Sequence, residues 1–96
     1  MAEVVTLVTG TVEPDRVREV VEPYEAALAG APPPALEETF LLRSGAGELA
    51  ILTVWHRRDD LDAMLASGEE PFARRLIREA GGTPAVTVFD IVVRSG

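Results

Sequence analysis

The side chains able to do chemistry in this 96-residue chain are few. There is one histidine, one tryptophan and one tyrosine; all nine cationic side chains are arginine, and lysine, cysteine, asparagine and glutamine are absent. Without lysine no Schiff base can form, without cysteine no thiolate can attack, and without a side-chain amide one common way of orienting a substrate is missing. An imidazole suits general-base work, but His56 directly follows Trp55. In an extended segment the two rings therefore point to opposite faces, which directs His56 to an interface or the surface. The remaining polar groups are Tyr24, Thr9, Thr53, Arg43, Arg74, Arg75, Arg78 and Asp90. Each also has a plain structural role open to it. Tyr24 has apolar neighbours at helical spacing, Arg74, Arg75 and Arg78 have Glu70 and Glu79 to pair with, and Asp90, if buried, needs a partner such as Arg43. A single histidine and no thiolate cannot supply the usual zinc ligand set, so no metal is expected.

The elements that must position these residues follow from the apolar periodicity. Residues 4–9 form a β-branched run that ends at Gly10 and reads as a strand. Pro14 suits the first turn of a helix, and Val17, Val20, Val21, Tyr24 and Leu28 make one apolar stripe down to Gly30. Pro23 lies inside that helix and predicts a kink or a second start. Residues 31–34 (Ala-Pro-Pro-Pro) read as a stiff connector. Residues 36–43 read as a second strand, Ser44-Gly45-Ala46-Gly47 as a hairpin turn, and 48–56 as a third strand. In that strand Leu49, Ile51, Thr53 and Trp55 share one face, and Ala50, Leu52, Val54 and His56 the other. Asp59 can cap a short helix through Leu61, Met64 and Leu65 that breaks at Ser67-Gly68. A further helix starts at Pro71, carries Phe72, Leu76, Ile77 and Ala80, and stops at Gly81-Gly82. Residues 85–94 form the last strand, with Thr87, Phe89, Ile91 and Val93 alternating against Val86, Val88, Asp90 and Val92.

The order is β-α-β-β-α-β over a single domain spanning 1–96, an α+β ferredoxin-like fold with an antiparallel sheet and helices on one face. A domain of this size buries only about 60–65% of its unfolded surface, and neither a disulfide nor a metal is available to reinforce it. The helix-free face of the sheet would carry many Val and Leu side chains, so it is expected to pack on a second copy and form a homodimeric α+β barrel. The net charge of −7 repels phosphate, which argues against nucleic acid and anionic membrane as partners. No apolar run reaches the 18 or so residues of a membrane helix, and residues 1–12 lack a basic start and a cleavage site; a cytoplasmic protein is expected.

Ile51-Leu52-Thr53-Val54-Trp55, then Arg58-Asp59-Asp60-Leu61-Asp62-Ala63-Met64-Leu65-Ala66-Ser67, then Pro71-Phe72 resemble the third strand and following helix of the antibiotic biosynthesis monooxygenase family. Val88-Phe89-Asp90-Ile91 looks like that family's last strand. The resemblance implies a dimeric α+β barrel with a cavity between sheet and helices, whose strand-end tryptophan, here Trp55, stacks on a polycyclic substrate. It also implies a helix arginine, here Arg74 or Arg75, that stabilises a substrate anion, with Tyr24, Thr53, Phe72 and Phe89 as substrate contacts. The chain departs from the pattern at telling places. The haem-degrading members use an asparagine on the first strand and a histidine on the last helix; asparagine is absent here, and Leu76 or a neighbouring arginine stands at the helix position. The anthrone oxygenases place an amide and a tyrosine where Ile51 and Leu61 stand.

The resemblance implies a cofactor-independent oxygenase acting on a small aromatic or polyketide-type substrate. Such chemistry needs no bound cofactor but does need a substrate anion, because a singlet substrate must first give an electron to triplet oxygen. The alternative is a non-catalytic barrel that binds a small molecule or serves as an accessory subunit, which the missing amide, tyrosine and histidine favour.

Overall fold

A computed structural model describes residues 3–30 and 34–95. The predicted connector falls largely at 31–33, outside the described residues. The elements are β1 (Val4–Thr11), a 3-10 turn (Pro14–Arg16), α1 (Arg18–Ala29), β2 (Leu36–Ser44), β3 (Glu48–Trp55), α2 (Arg58–Ala66), α3 (Phe72–Glu79) and β4 (Ala85–Asp90). The four strands form one antiparallel sheet in the order β2-β3-β1-β4. This is the expected ferredoxin-like α+β fold, with its second helix in two pieces.

Several boundaries differ from the sequence expectation for physical reasons. β1 does not stop at Gly10 but runs through it to Thr11. A Cβ at residue 10 would collide with Ile77, so this glycine lets α3 lie close on the strand rather than ending it. The first helix begins four residues after Pro14, because Pro14–Arg16 forms a 3-10 turn, and α1 then continues unbroken through Pro23. Asp59 does not cap α2: the N-cap is Arg57, in extended conformation and without a side-chain cap, and Asp59 and Asp60 occupy the first turn, where they complement the helix dipole. The last strand ends at Asp90 rather than 94. One more bond, from the Ile91 amide to the Glu3 carbonyl, closes the pairing, and Val92 and Val93 are exposed.

Alternation gives the sheet two apolar faces with different fates. On the helix side, Val8 and Ile51 from the sheet, Val20 and Tyr24 from α1, and Leu76 and Ile77 from α3 make the main core. A second, smaller cluster holds Val4, Trp55 and Leu61. Burying an Ile or Leu side chain contributes about 1.5–3 kcal/mol, so Ile51, Leu61 and Ile77, each at most 2% exposed, are the strongest anchors. On the other face, Val5 and Leu7 line up with Leu52, Phe40 and Phe89 through the registers of β1, β3, β2 and β4. Among the described residues no helix covers this face, and Phe40, Leu42 and Phe89 remain 44%, 45% and 50% exposed.

The hairpin between β2 and β3 is fixed by a close approach. Gly47 is buried, its carbonyl accepts the Val12 amide at 2.9 Å, and a Cβ there would run into the Val12 carbonyl. Gly68, between α2 and α3, has φ of 80° and open space around it. Gly47→Ala should therefore cost about 2 kcal/mol through backbone displacement, and Gly68→Ala only about 1 kcal/mol through the left-handed conformation. Denaturant melts of the two variants check this, and an equal or reversed order contradicts the packing described.

Candidate functional site

The helix side of the sheet is not filled. Between the two core clusters lies a cavity of about 580 Å³, bounded by the sheet, α1, α2 and the start of α3. That volume is within the range of small-molecule sites. β3 places Thr53 and Trp55 on its floor, β1 places Thr6 and Val8, β2 places Thr39, and β4 places Val86 and Val88. α1 contributes Tyr24 and Leu28, α2 contributes Asp60, Leu61, Met64 and Leu65, and the start of α3 contributes Phe72 and Arg74. Exposed apolar side chains at Leu28, Leu65, Phe72, Val86 and Val88 belong to this wall, so their exposure marks an opening rather than a defect in packing.

The floor is polar only through hydroxyl groups. Thr39, Thr53 and Thr6 stand side by side across β2, β3 and β1, because Thr39 pairs with Thr53 and Thr53 with Thr6. The indole Nε1–H of Trp55 donates to Thr6 Oγ1 at 3.0 Å. Tyr24 Oη and Thr39 Oγ1 are hydrogen-bonded at 2.8 Å, and Thr39 Oγ1 and Thr53 Oγ1 at 3.2 Å. The first bond holds the indole against the sheet; the second ties α1 to the edge strand. Both keep apolar ring faces turned to the cavity while satisfying the polar ends.

Charged groups sit at the margin. Asp60 and Arg74 are the charged residues of the lining. Arg74 forms no ion pair among the described residues, whereas Arg78 grips Glu70 through three hydrogen bonds of 2.7–3.1 Å. That guanidinium holds the Glu70 carboxyl below its usual range and steadies the loop just before Pro71 and Phe72. Arg58 reaches from the first turn of α2 to Asp90, and so tethers the helix that roofs the cavity to β4.

Of the residues singled out from the sequence, Trp55, Tyr24, Thr53, Phe72 and Arg74 come together in the lining. Arg75 does not: its guanidinium lies 5.3 Å from the centre of the Phe72 ring, stacked on the outside of α3. Phe89 is corrected more sharply, since it pairs with Val5 on the helix-free face while Val88 and Val86 face the cavity. Thr9 pairs with Ala50 and Ala85 on that same far face, and Arg43 lies on the other edge strand from Asp90, which is exposed and paired with Arg58 instead. The His56 amide donates to the Ala35 carbonyl at 3.1 Å beyond the end of β3, and the ring is not part of the lining. Sequence reasoning missed Thr6, Thr39, Asp60, Val86 and Val88. For Thr6 a signal existed, because it is in phase with Val4 and Val8.

A sheet covered by helices on one face is a ferredoxin-like architecture, and solved structures with this fold include a cofactor-independent oxygenase, a monooxygenase and a putative antibiotic biosynthesis monooxygenase from Caulobacter crescentus. The chain is similar to SnoaB, a cofactor-independent oxygenase from Streptomyces nogalater, at 21% identity, covering 100% of this chain and 97% of that one with a TM-score of 0.66. It is similar to the monooxygenase of ActVA-Orf6 from Streptomyces coelicolor, solved with nanaomycin D, at 15% identity, covering 99% and 90% with a TM-score of 0.70. It is also similar in fold, with a higher TM-score of 0.74, to a protein of unknown function from Nitrosomonas europaea, at 14% identity, covering 99% and 94%. The sequence matches no protein-family model and no curated protein. At these identities the likeness concerns the fold.

The Glu70–Arg78 clamp makes a testable statement about pH. The folded value of Glu70 is depressed, so the stabilisation from the pair is present above the unfolded value and is lost as pH falls through the folded one. In Arg78→Ala, the Glu70 carboxyl should titrate higher than in the native protein, as followed by carboxyl carbon chemical shifts. An unchanged midpoint would show that the clamp does not form in solution.

Proposed function

We propose that the protein is a homodimeric, cofactor-independent oxygenase-type protein that binds a small, flat aromatic or polyketide-type compound in the cavity between sheet and helices. The observation that carries this reading is the cavity itself: apolar walls around Trp55, hydroxyl groups on the floor and one unpaired guanidinium, Arg74, in the lining. A flat ligand lies along the indole, buries its faces against Val86, Val88 and Met64, and places an ionisable oxygen where Arg74 stabilises the anion. Asp60, the carboxylate of the lining, accepts the proton. The resulting carbanion or phenolate gives an electron to dioxygen. One oxygen atom ends in the product, and the other leaves as water with two substrate hydrogens.

The fold likeness to SnoaB and the ActVA-Orf6 monooxygenase supports this class of reaction. The second reading, a binding or accessory protein without catalysis, is favoured by one observation: the Trp55 N–H is engaged by Thr6 and so is not available to a substrate. Oxygen uptake separates the two. With reduced anthrones or hydroquinones, the oxygenase reading expects uptake that falls roughly a hundredfold in Arg74→Ala. Ligand binding without uptake by the native protein would establish the second reading. In either case Trp55→Phe should weaken ligand binding by about tenfold while lowering the melting temperature by only a few degrees; a change in melting temperature alone would reduce Trp55 to a core residue.

The dimer is proposed through the helix-free face. Val5, Leu7, Phe40, Leu42, Leu52 and Phe89 lie together on that face, with Phe40, Leu42 and Phe89 exposed, and contiguous exposed apolar side chains of this kind mark an interaction surface. Sheet-to-sheet packing of two copies covers it. The native protein is expected to run as a dimer by light scattering and Leu52→Glu as a monomer or an aggregate. A native monomer at micromolar concentration would overturn the proposal.

A further inference from the structure

Resting on that reading of the cavity, we propose that Thr6 and Thr53 form a paired hydroxyl donor site that receives the carbonyl or enolate oxygen of a flat conjugated ketone or quinone. The inference comes from where the hydroxyl protons go. Thr6 Oγ1 accepts the Trp55 N–H, and its own O–H has no acceptor among the described residues. Tyr24, Thr39 and Thr53 bring three hydroxyl protons to a chain of two hydrogen bonds, so one proton of the three stays unspent. Either oxygen of each pair can donate; in the arrangement in which Tyr24, as a phenol the stronger donor, gives its proton to Thr39 and Thr39 gives its own to Thr53, the spare O–H is that of Thr53, and this is the arrangement proposed. The floor thus offers an excess of donors, and the carboxylate of the lining, Asp60, belongs to α2 rather than to the strands.

Three features make this excess a binding device. Thr6 and Thr53 are directly paired across β1 and β3, and threonines so paired on one sheet face stand about 4.5–5.5 Å apart at Cβ, close enough for both hydroxyls to reach one oxygen. Both are nearly buried, at 7% and 8% exposure, so each spent donor replaces a contact that bulk water supplies poorly. The site also adjoins the indole, whose Nε1–H both orients Thr6 and polarises it, since a hydroxyl that accepts a hydrogen bond becomes the better donor. A conjugated ring lying along Trp55 therefore brings its carbonyl to the hydroxyl pair. On deprotonation of the bound ketone, the charge that develops on that oxygen meets donors already in place. In this chain the pair of threonines does what a side-chain amide cannot, because the sequence holds none.

Two soluble probes isolate the oxygen: 9,10-anthraquinone-2-sulfonate and anthracene-2-sulfonate, which share the ring frame and the anionic tail but differ in the carbonyls. Binding is read by quenching of Trp55 fluorescence. The native protein should bind the quinone more tightly than the hydrocarbon. Thr53→Val should weaken quinone binding by roughly three- to tenfold, the range of one hydrogen bond, and leave anthracene binding unchanged, while Thr53→Ser restores the native preference. Thr6→Val removes the partner of the Trp55 N–H and risks the fold, so Thr6→Ser is its companion and should behave as the native protein does. Equal affinity of the native protein for the two probes, or equal weakening of both by Thr53→Val, overturns the donor pair while leaving the aromatic cavity standing. Failure of both probes to bind the folded native protein overturns the cavity reading and the donor pair with it.

Discussion

A four-stranded sheet with apolar side chains on both faces, and helices enough for only one, governs the rest of this molecule. α1 and α3 cover the helix side at Val8, Ile51 and Gly10, where Ile77 settles into the space a Cβ would fill. The short α2 roofs the end at Trp55 through Leu61 and Met64. What the helices leave open on their own side becomes a cavity, and what they leave bare on the other is the exposed apolar face through which the dimer is proposed. The burial deficit of a small domain and the presence of a ligand-sized space follow from the same shortage of covering elements.

The polar groups of the cavity are organised by that arrangement and not by charge. Hydrogen bonds to Thr6 and Thr39 fix Trp55 and Tyr24 to the floor. The ion pairs sit outside: Arg78 with Glu70 next to Pro71, Arg58 with Asp90 at the end of β4, and Arg16 with Glu19 beside the 3-10 turn. Exposed pairs of this kind contribute little to stability; those of Arg78 and Arg58 link the loop before α3 to its last turn and the start of α2 to the end of β4. Arg74, unpaired among the described residues and in the lining, is the exception, and it is the group to which the proposed chemistry assigns the substrate anion.

Most of the fold could be read from the sequence because the elements are strongly patterned. The alternation in β3 separated Thr53 and Trp55 from Leu52 and Val54, and the order of elements named the topology. Periodicity sorts a strand into two faces, however, without saying which face meets the helices. In β3 the tryptophan marks the helix side; β4 carries no such marker in its sequence, and only the pairing of Phe89 with Val5 puts that ring on the helix-free face. Gly10 read as a stop because a glycine that ends a strand and one that admits a neighbour are indistinguishable without the neighbour. Thr6 and Thr39 passed as ordinary strand formers, since their importance comes from standing beside Thr53, a relation created by the register. Arg74 and Arg75, adjacent in sequence, part company because successive residues on a helix face different ways.

The central claim is that the space above Thr6 and Thr53 is a ligand site and not an unfilled core. Methyl-resolved NMR during titration with 9,10-anthraquinone-2-sulfonate tests it most directly. The account predicts shifts at the methyl groups of Thr6, Thr53, Met64, Val86 and Val88, with those of Leu7, Leu42 and Leu52 on the opposite face unmoved. Shifts confined to the opposite face, or none at saturating probe, would contradict it.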